Sequence, residues 1–325
     1  MPNVVIVSGA SSGFGAMTVR ELALAGHRVY AGMRALDGRN APAAEDARAF
    51  AREHGVDLRP VELDVSDQAS VDAAVARIAE ESERIDVVVH NAGHMVLGPT
   101  EAFTVDQLAE VYDVNVLSTQ RLNHAVLPVL RAQEAGLLVW VGSSSSRGGT
   151  PPYLGPYFAA KAAEDALAVG YAVEVARFGI DTVIVVPGSY TTGTNHFAHA
   201  GHAARAEVAS AYEDRYPGLM ADVSARLAEL APADADPREI AVAIARVVGL
   251  PRGERPFRVV IDPADDGAAR VFELGDAVRR EFYERIRMPD LLSPTGTGIR
   301  PDPDTADAGT TTATRPAAVD QGETR

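Results

Sequence analysis

The chain has 325 residues, 30 of them basic and 45 acidic, which gives a formal net charge of −15. That balance excludes a nucleic-acid binder held by bulk positive charge, and a cysteine count of zero removes disulfides, thiolate zinc sites and cysteine nucleophiles together. With 46% hydrophobic and 23% charged residues, the composition is that of a globular protein able to bury a sizeable core. No apolar run nears the roughly 18 residues needed to cross a bilayer, so no membrane partner is expected. The opening MPNVVIVSGA lacks the basic patch and apolar stretch of a secretory leader. A cytoplasmic protein is predicted.

Short apolar runs rich in β-branched residues alternate with amphipathic stretches. In chain order, a strand is expected over 4–8 and a helix over 14–26, a strand over 28–33 and a helix over 42–54, then a strand over 57–63 and a helix over 67–84. A fourth strand over 86–90 leads to one long helix over 101–133, and a fifth over 136–142 to a helix over 155–178. The sixth strand, 181–187, precedes helices over 205–230 and 236–249, and the seventh covers 257–261. Residues 264–287 read as one more amphipathic helix. From about Leu292 the remainder is rich in Pro, Gly, Thr and Asp and reads as a disordered tail. Alternation of this kind predicts an α/β fold, a doubly wound, seven-stranded parallel sheet with helices on both faces. The organisation expected is one domain over 1–262, a helical extension over 263–291 and a tail over 292–325.

The first strand runs into Ser8-Gly9-Ala10-Ser11-Ser12-Gly13-Phe14-Gly15 and then a helix. Glycines at 9, 13 and 15 allow a tight turn and close backbone approach, and the N–H groups of the helix start favour phosphate. In that context the cluster predicts a dinucleotide site. One lysine, Lys161, stands against 29 arginines, at a place where a compact, titratable cation is wanted and arginine chemistry would fail.

The glycine-rich turn, Asn91-Ala92-Gly93 after the fourth strand, the serine run Ser143–Ser146 after the fifth, and Tyr157-Phe158-Ala159-Ala160-Lys161 together resemble the short-chain dehydrogenase/reductase family. The likeness spans roughly residues 3–262. Ser8 stands where the family more often has Thr, and His90 where it often has Asn. The resemblance implies a Rossmann-type domain and hydride transfer between a nicotinamide cofactor and a carbonyl or secondary alcohol. Tyr157 and Lys161 share a helix face at i, i+4 spacing, so the ammonium is placed to draw the phenol toward its charged form and make it an acid–base group. Thirteen positions before Tyr157, the family's catalytic serine corresponds to Ser144; Ser145 stays open because Gly148 follows it by three. Asn115 matches the asparagine of the family's catalytic tetrad and is expected to hold a water leading from Lys161 to solvent.

For the cofactor, the resemblance assigns Gly9, Ser11, Ser12, Gly13, Phe14 and Gly15 to the pyrophosphate turn, Asp64 and Val65 to adenine, and Asn91, Ala92 and Gly93 to the adenosine ribose. Pro187, Gly188, Tyr190 and Thr192 fall at the nicotinamide end, with Tyr157 and Lys161. At the end of the second strand Met33 occupies the place of an acid that would bind a ribose 2′-hydroxyl, and Arg34 follows it. NADP(H) is therefore expected over NAD(H). Residues 190–235 would form a substrate lid, with Phe197, Tyr212, Tyr216, Leu219 and Met220 as its apolar contacts. His196, His199 and His202 are read as polar lid groups with no metal, because nothing completes a ligand set. The sequence thus predicts an NADP(H)-dependent oxidoreductase acting on an apolar small molecule, in a homodimer or homotetramer. A non-catalytic dinucleotide sensor and an NAD(P)-dependent epimerase or dehydratase are the alternatives.

Overall fold

A computed structural model describes residues 2–190 and 199–294. In chain order the strands are β1 (Val4–Val7), β2 (Arg28–Met33), β3 (Leu58–Glu62), β4 (Val87–His90), β5 (Val96–Leu97), β6 (Gly136–Val141), β7 (Ile180–Pro187), β8 (Gly201–His202) and β9 (Arg258–Ile261). Seven of them form one parallel sheet in the order β3-β2-β1-β4-β6-β7-β9, and β5 pairs with β8 outside it. The helices are α1 (Gly13–Leu24), α2 (Ala41–His54), α3 (Gln68–Ser82), α4 (Val105–Tyr112), α5 (Ser118–Gln133), α6 (Gly155–Glu174), α7 (Ala206–Arg215), α8 (Leu219–Leu230), α9 (Arg238–Gly249) and α10 (Ala268–Arg285).

The strands are continuous apolar runs because both faces of the sheet are covered. Side chains alternate across β1, so Val5 and Val7 pack with Val19 and Leu22 of α1, Ala44 and Ala47 of α2, and Ile240, Ile244 and Val247 of α9. Val4 and Ile6 face the other way, onto Val71 and Ile78 of α3, Leu122 and Val126 of α5, and Ala168 of α6. This is the doubly wound α/β sandwich predicted. Among the described residues no helix is long and apolar enough to cross a membrane.

Three departures from the predicted elements have local causes. The long helix over 101–133 is divided into α4 and α5 by a π-turn over Asp113–Leu117, centred on Asn115, whose amide competes for the Val111 carbonyl at 2.8 Å. The helix over 205–230 is cut into α7 and α8 at Pro217 and Gly218; the latter takes φ +73°, a left-handed conformation that suits glycine. The last helix starts four residues late, at Ala268, behind a turn that ends on Gly267 at φ +90°.

Strand order reverses between β1 and β4, so their carboxyl ends part and leave a crevice at that edge of the sheet. The glycine turn, Arg34, Asp64, Asn91, the serine run and Gly188 follow the strands at this edge.

Candidate active site

One cavity of about 1090 Å³ follows the crevice from the end of β2 to the loops after β6 and β7. Its floor is the turn between β1 and α1. Gly9 holds φ +67°, and a Cβ on it would sit 2.7 Å from the Ala92 Cα; on Gly15 a Cβ would lie 2.4 Å from the Gly9 carbonyl oxygen. At Gly13, φ +53°, nothing lies within 4 Å, so backbone there is open to the cavity. Ser8 ties the turn to β4 by accepting the Asn91 and Ala92 N–H groups at 3.0 and 3.1 Å. Asn91 donates its side-chain amide to the Ser8 and Gly9 carbonyls, so this residue lines the cavity while bracing the glycine turn.

Beyond β2, the Glu62 carboxylate accepts the N–H groups of Ala35 and Leu36 at 2.7 and 2.8 Å, and Asn40 donates to the Arg34 carbonyl at 2.6 Å. The fold of this loop brings Arg34 and also Arg39 to the cavity wall. Neither guanidinium has an acidic partner among the described residues. Arg39 was not singled out in the sequence; its role depends on the loop that Glu62 and Asn40 pin. Asp64 and Val65 line the same end, Asp64 also accepting the Ser66 N–H at 3.0 Å. Open backbone at Gly13, Ser11 and Ser12 beside it, and two arginines with no acidic partner among the described residues, fit the phosphates of a dinucleotide. Pro187, Gly188 and Tyr190 stand at the far end, where Tyr190 meets the Phe14 ring edge-on with centres 5.7 Å apart. Thr192, His196 and Phe197 lie outside the described residues.

Tyr157 and Lys161 occupy adjacent turns of α6 and are both buried. The serine that reaches Tyr157 is Ser143, one residue before the expected Ser144. Ser143 Oγ accepts both the N–H and the hydroxyl of Ser145, at 3.2 and 2.7 Å, which leaves its own proton for the hydrogen bond to the Tyr157 oxygen. Ser144 and Ser145 also line the cavity, but the hydroxyl bonded to Tyr157 is the one fourteen positions before it. The Asn115 side chain is engaged with backbone on both sides. Its Oδ1 accepts the His94 N–H at 3.1 Å and both its N–H groups are donated, to His94 and Val111 carbonyls. The amide therefore clamps the loop after β4 and opens the π-turn, with no N–H left for a water.

Lys161 Nζ donates to the Val141 carbonyl at 2.8 Å and forms an ion pair with Glu164. Burial works against the Lys161 charge, but Glu164, Tyr157 and Asp165 hold its ammonium above the ordinary value. Burial raises the Tyr157 phenol, and Glu164 raises it further; Lys161 and Ser143 pull it down without reversing the sign. Burial pushes the Glu164 carboxyl up to about 7, against the pull of Lys161.

Over this group the wall is apolar, built from Met95, Pro151, Leu154, Phe158, Leu227 and Leu230, with His94 and His199 among them. Among the described residues, the apolar side chains of 199–235 that reach the cavity are Leu227 and Leu230, at the end of α8. Tyr212, Tyr216, Leu219 and Met220, expected there, do not line the cavity. The Tyr212 hydroxyl instead donates to Glu101 at 3.1 Å, and Tyr216 is exposed.

The short chain dehydrogenase family model matches residues 3–202. The chain is 28% identical to a 3-ketodihydrosphingosine reductase of Bacteroides thetaiotaomicron, over 81% of its own length and 88% of that protein. A solved short-chain dehydrogenase from Streptomyces avermitilis is similar at TM-score 0.69 and 27% identity, covering 88% of this chain and 98% of that one. A gluconate 5-dehydrogenase from Burkholderia cenocepacia, solved with NADP and tartrate, is similar at TM-score 0.62 and 25% identity, covering 80% and 94%. A match that spans β1 to β8, and with them the glycine turn, the serine loop and the Tyr157–Lys161 pair, makes the chain a member of the short-chain dehydrogenases, and its reaction the NAD(P)-dependent interconversion of a carbonyl and an alcohol.

Proposed function

We propose that this enzyme takes NADP(H) in preference to NAD(H) and acts on an apolar ketone or secondary alcohol, with Tyr157 as its acid–base group. The observation that carries the reading is the Ser143–Tyr157 hydrogen bond at the foot of a cavity whose wall above it is apolar. When bound, the nicotinamide supplies or accepts the hydride. Tyr157 gives its proton to the oxygen that is reduced, or takes one back when an alcohol is oxidised. With substrate present, Ser143 turns its single proton from the Tyr157 oxygen to the substrate oxygen and stabilises the charge that develops there. Lys161 holds a positive charge beside the phenol, so that losing its proton costs Tyr157 less than it would in an uncharged pocket.

Preference for NADP(H) is supported by Met33, which offers no carboxylate to a ribose hydroxyl, and by the unpaired Arg34 and Arg39. Glu62, at the end of β3, is spent on two backbone N–H groups. The NADP held by the similar gluconate 5-dehydrogenase points the same way. Residues 199–235 serve as the lid, with Leu227 and Leu230 against the substrate. The same reading makes the enzyme a cytoplasmic homodimer or homotetramer in which the Ala-rich outer side of α6 allows close approach of a copy; light scattering on the purified chain tests it.

Thermal unfolding with NADPH and with NADH in parallel tests the cofactor. A ligand at 100 times its dissociation constant adds about 2.7 kcal/mol to the folded state, so NADPH should raise Tm at concentrations where NADH does not. Equal shifts would remove the roles given to Arg34 and Arg39, and no shift with either would remove the dinucleotide site.

A further inference from the structure

Lys161 has a partner that the reaction does not call for. Glu164 sits one turn further along α6 with 2% of its side chain exposed, against 6% for Lys161. Residues 157, 161 and 164 are spaced i, i+4, i+7 and share one face of the helix. A buried ion pair is poorly explained by stability, because apolar residues of the same volume do as well or better. Its effect on the neighbouring phenol is specific. An ammonium alone beside Tyr157 favours the phenolate, and a carboxylate on the far side of the ammonium takes that advantage away.

We propose that Glu164 is a positioning residue that offsets the Lys161 charge felt at Tyr157, keeping Tyr157 a hydroxyl and setting the site for carbonyl reduction near neutral pH. The inference rests on Tyr157 as the acid–base group. At the alkaline pH where Tyr157 titrates, Glu164 is ionised and exerts its full effect. The other charges around it are balanced or remote. Asp165, next to Glu164, is paired with Arg258 of β9. The π-turn packed on α6 brings Asp113, paired with Arg121; β7 brings Asp181, paired with Arg255; the turn after α10 brings Asp290, paired with Arg177. Asp106 and Glu110 of α4 are exposed. From the β6–α6 loop the polar group that meets Tyr157 is the Ser143 hydroxyl.

The test is an ultraviolet titration of the full-length protein, reading the tyrosinate signal that is lost in Tyr157→Phe. Seven residues of helix rise about 10 Å, at which one charge moves a partner's titration by about one pH unit at the effective dielectric of such sites. Glu164→Gln should therefore lower the Tyr157 titration by about one unit, and Glu164→Asp should leave it near the native value. An unchanged or higher titration in Glu164→Gln overturns the proposal. Lys161→Met with Glu164→Leu gives the second reading should Glu164→Gln fail to fold. Lys161→Met alone should titrate higher than native, and the double variant about one unit below Lys161→Met; a double variant as high as the single overturns the proposal equally. Neither titration needs NADPH or a substrate, so failure of the cofactor or substrate assignment is read separately. Once a ketone and alcohol pair is turned over, Glu164→Gln should also move both pH–rate profiles toward acid and raise oxidation relative to reduction at pH 7.

Discussion

Replacing Arg258 with methionine removes the guanidinium that closes the last strand onto two helices, and the cost follows from what is left behind. Arg258 reaches Asp165 of α6 at 2.5 Å and Asp276 of α10 at 3.1 Å, and its guanidinium carbon lies 4.1 Å from the Phe272 ring centre. With 6% of the Arg258 side chain exposed and 4% of Asp165, the variant strands a carboxylate where water does not reach. Removing one side of such a pair costs about 3–5 kcal/mol, and the lost cation–π contact, worth up to about 2 kcal/mol, overlaps that figure because the same side chain makes both. For a chain of this size, about 4 kcal/mol corresponds to a fall in Tm of roughly 8 °C, at about 2 °C per kcal/mol. Melting followed by far-ultraviolet circular dichroism reads it directly. Asp165→Leu added to Arg258→Met replaces charge by apolar volume on both sides and should restore most of the loss. A fall below 2 °C in the single variant, or a double variant no more stable than the single, would refute the claim that this buried pair fastens β9 to α6.

Three further outcomes are expected. Arg34→Glu should weaken NADPH by about 10- to 100-fold, the worth of one to two charge-assisted hydrogen bonds, and leave NADH nearly unchanged; Arg39→Ser should do the same to a smaller extent, both read by fluorescence titration. Ser143→Ala should lower kcat by about 10²–10³-fold, the usual cost of losing a donor to a developing oxyanion, while Ser144→Ala stays within a few-fold of native in the same steady-state assay. His90 is pushed down by burial to about 4 from an ordinary 6.5, so on acidification the unfolded chain binds the proton first. The stability His90 contributes is whole above pH 6.5 and is lost as pH falls toward 4, roughly 3 kcal/mol in all. In His90→Asn, urea unfolding at pH 7.5 and 4.5 should therefore differ by 2–3 kcal/mol less than in the native chain, about the share already lost at pH 4.5.

The sheet was legible because its strands are buried on both faces and so appear as near-continuous apolar runs, and because each crossover to a parallel neighbour needs a helix. Where the sequence misleads, a polar side chain or a backbone constraint overrides the periodicity. Asn115 sits in an otherwise helical stretch and diverts the Val111 carbonyl, and the Pro217-Gly218 pair halts α7 inside what reads as one amphipathic run. Both signals were visible as residue types, but only the folded chain says which carbonyls are diverted and where the break falls.

The site divides in the same manner. Residues that act through backbone geometry or fixed helical spacing, such as Gly9, Tyr157 and Lys161, can be found by counting. Residues that act across a loop cannot, since the path of the serine run decides which hydroxyl meets Tyr157, and it is Ser143, not Ser144. Arg39 becomes a cavity residue only after Glu62 has folded the loop after β2. Glu164 is the instructive intermediate case. The spacing from Tyr157 through Lys161 to Glu164 lies within one helix, so their shared face could be read from the chain, but a glutamate three residues from a lysine is commonly a solvated surface pair worth a few tenths of a kcal/mol. Only burial turns the same spacing into a charge balance that the phenol feels, because in a water-filled setting that carboxylate would be screened from Tyr157.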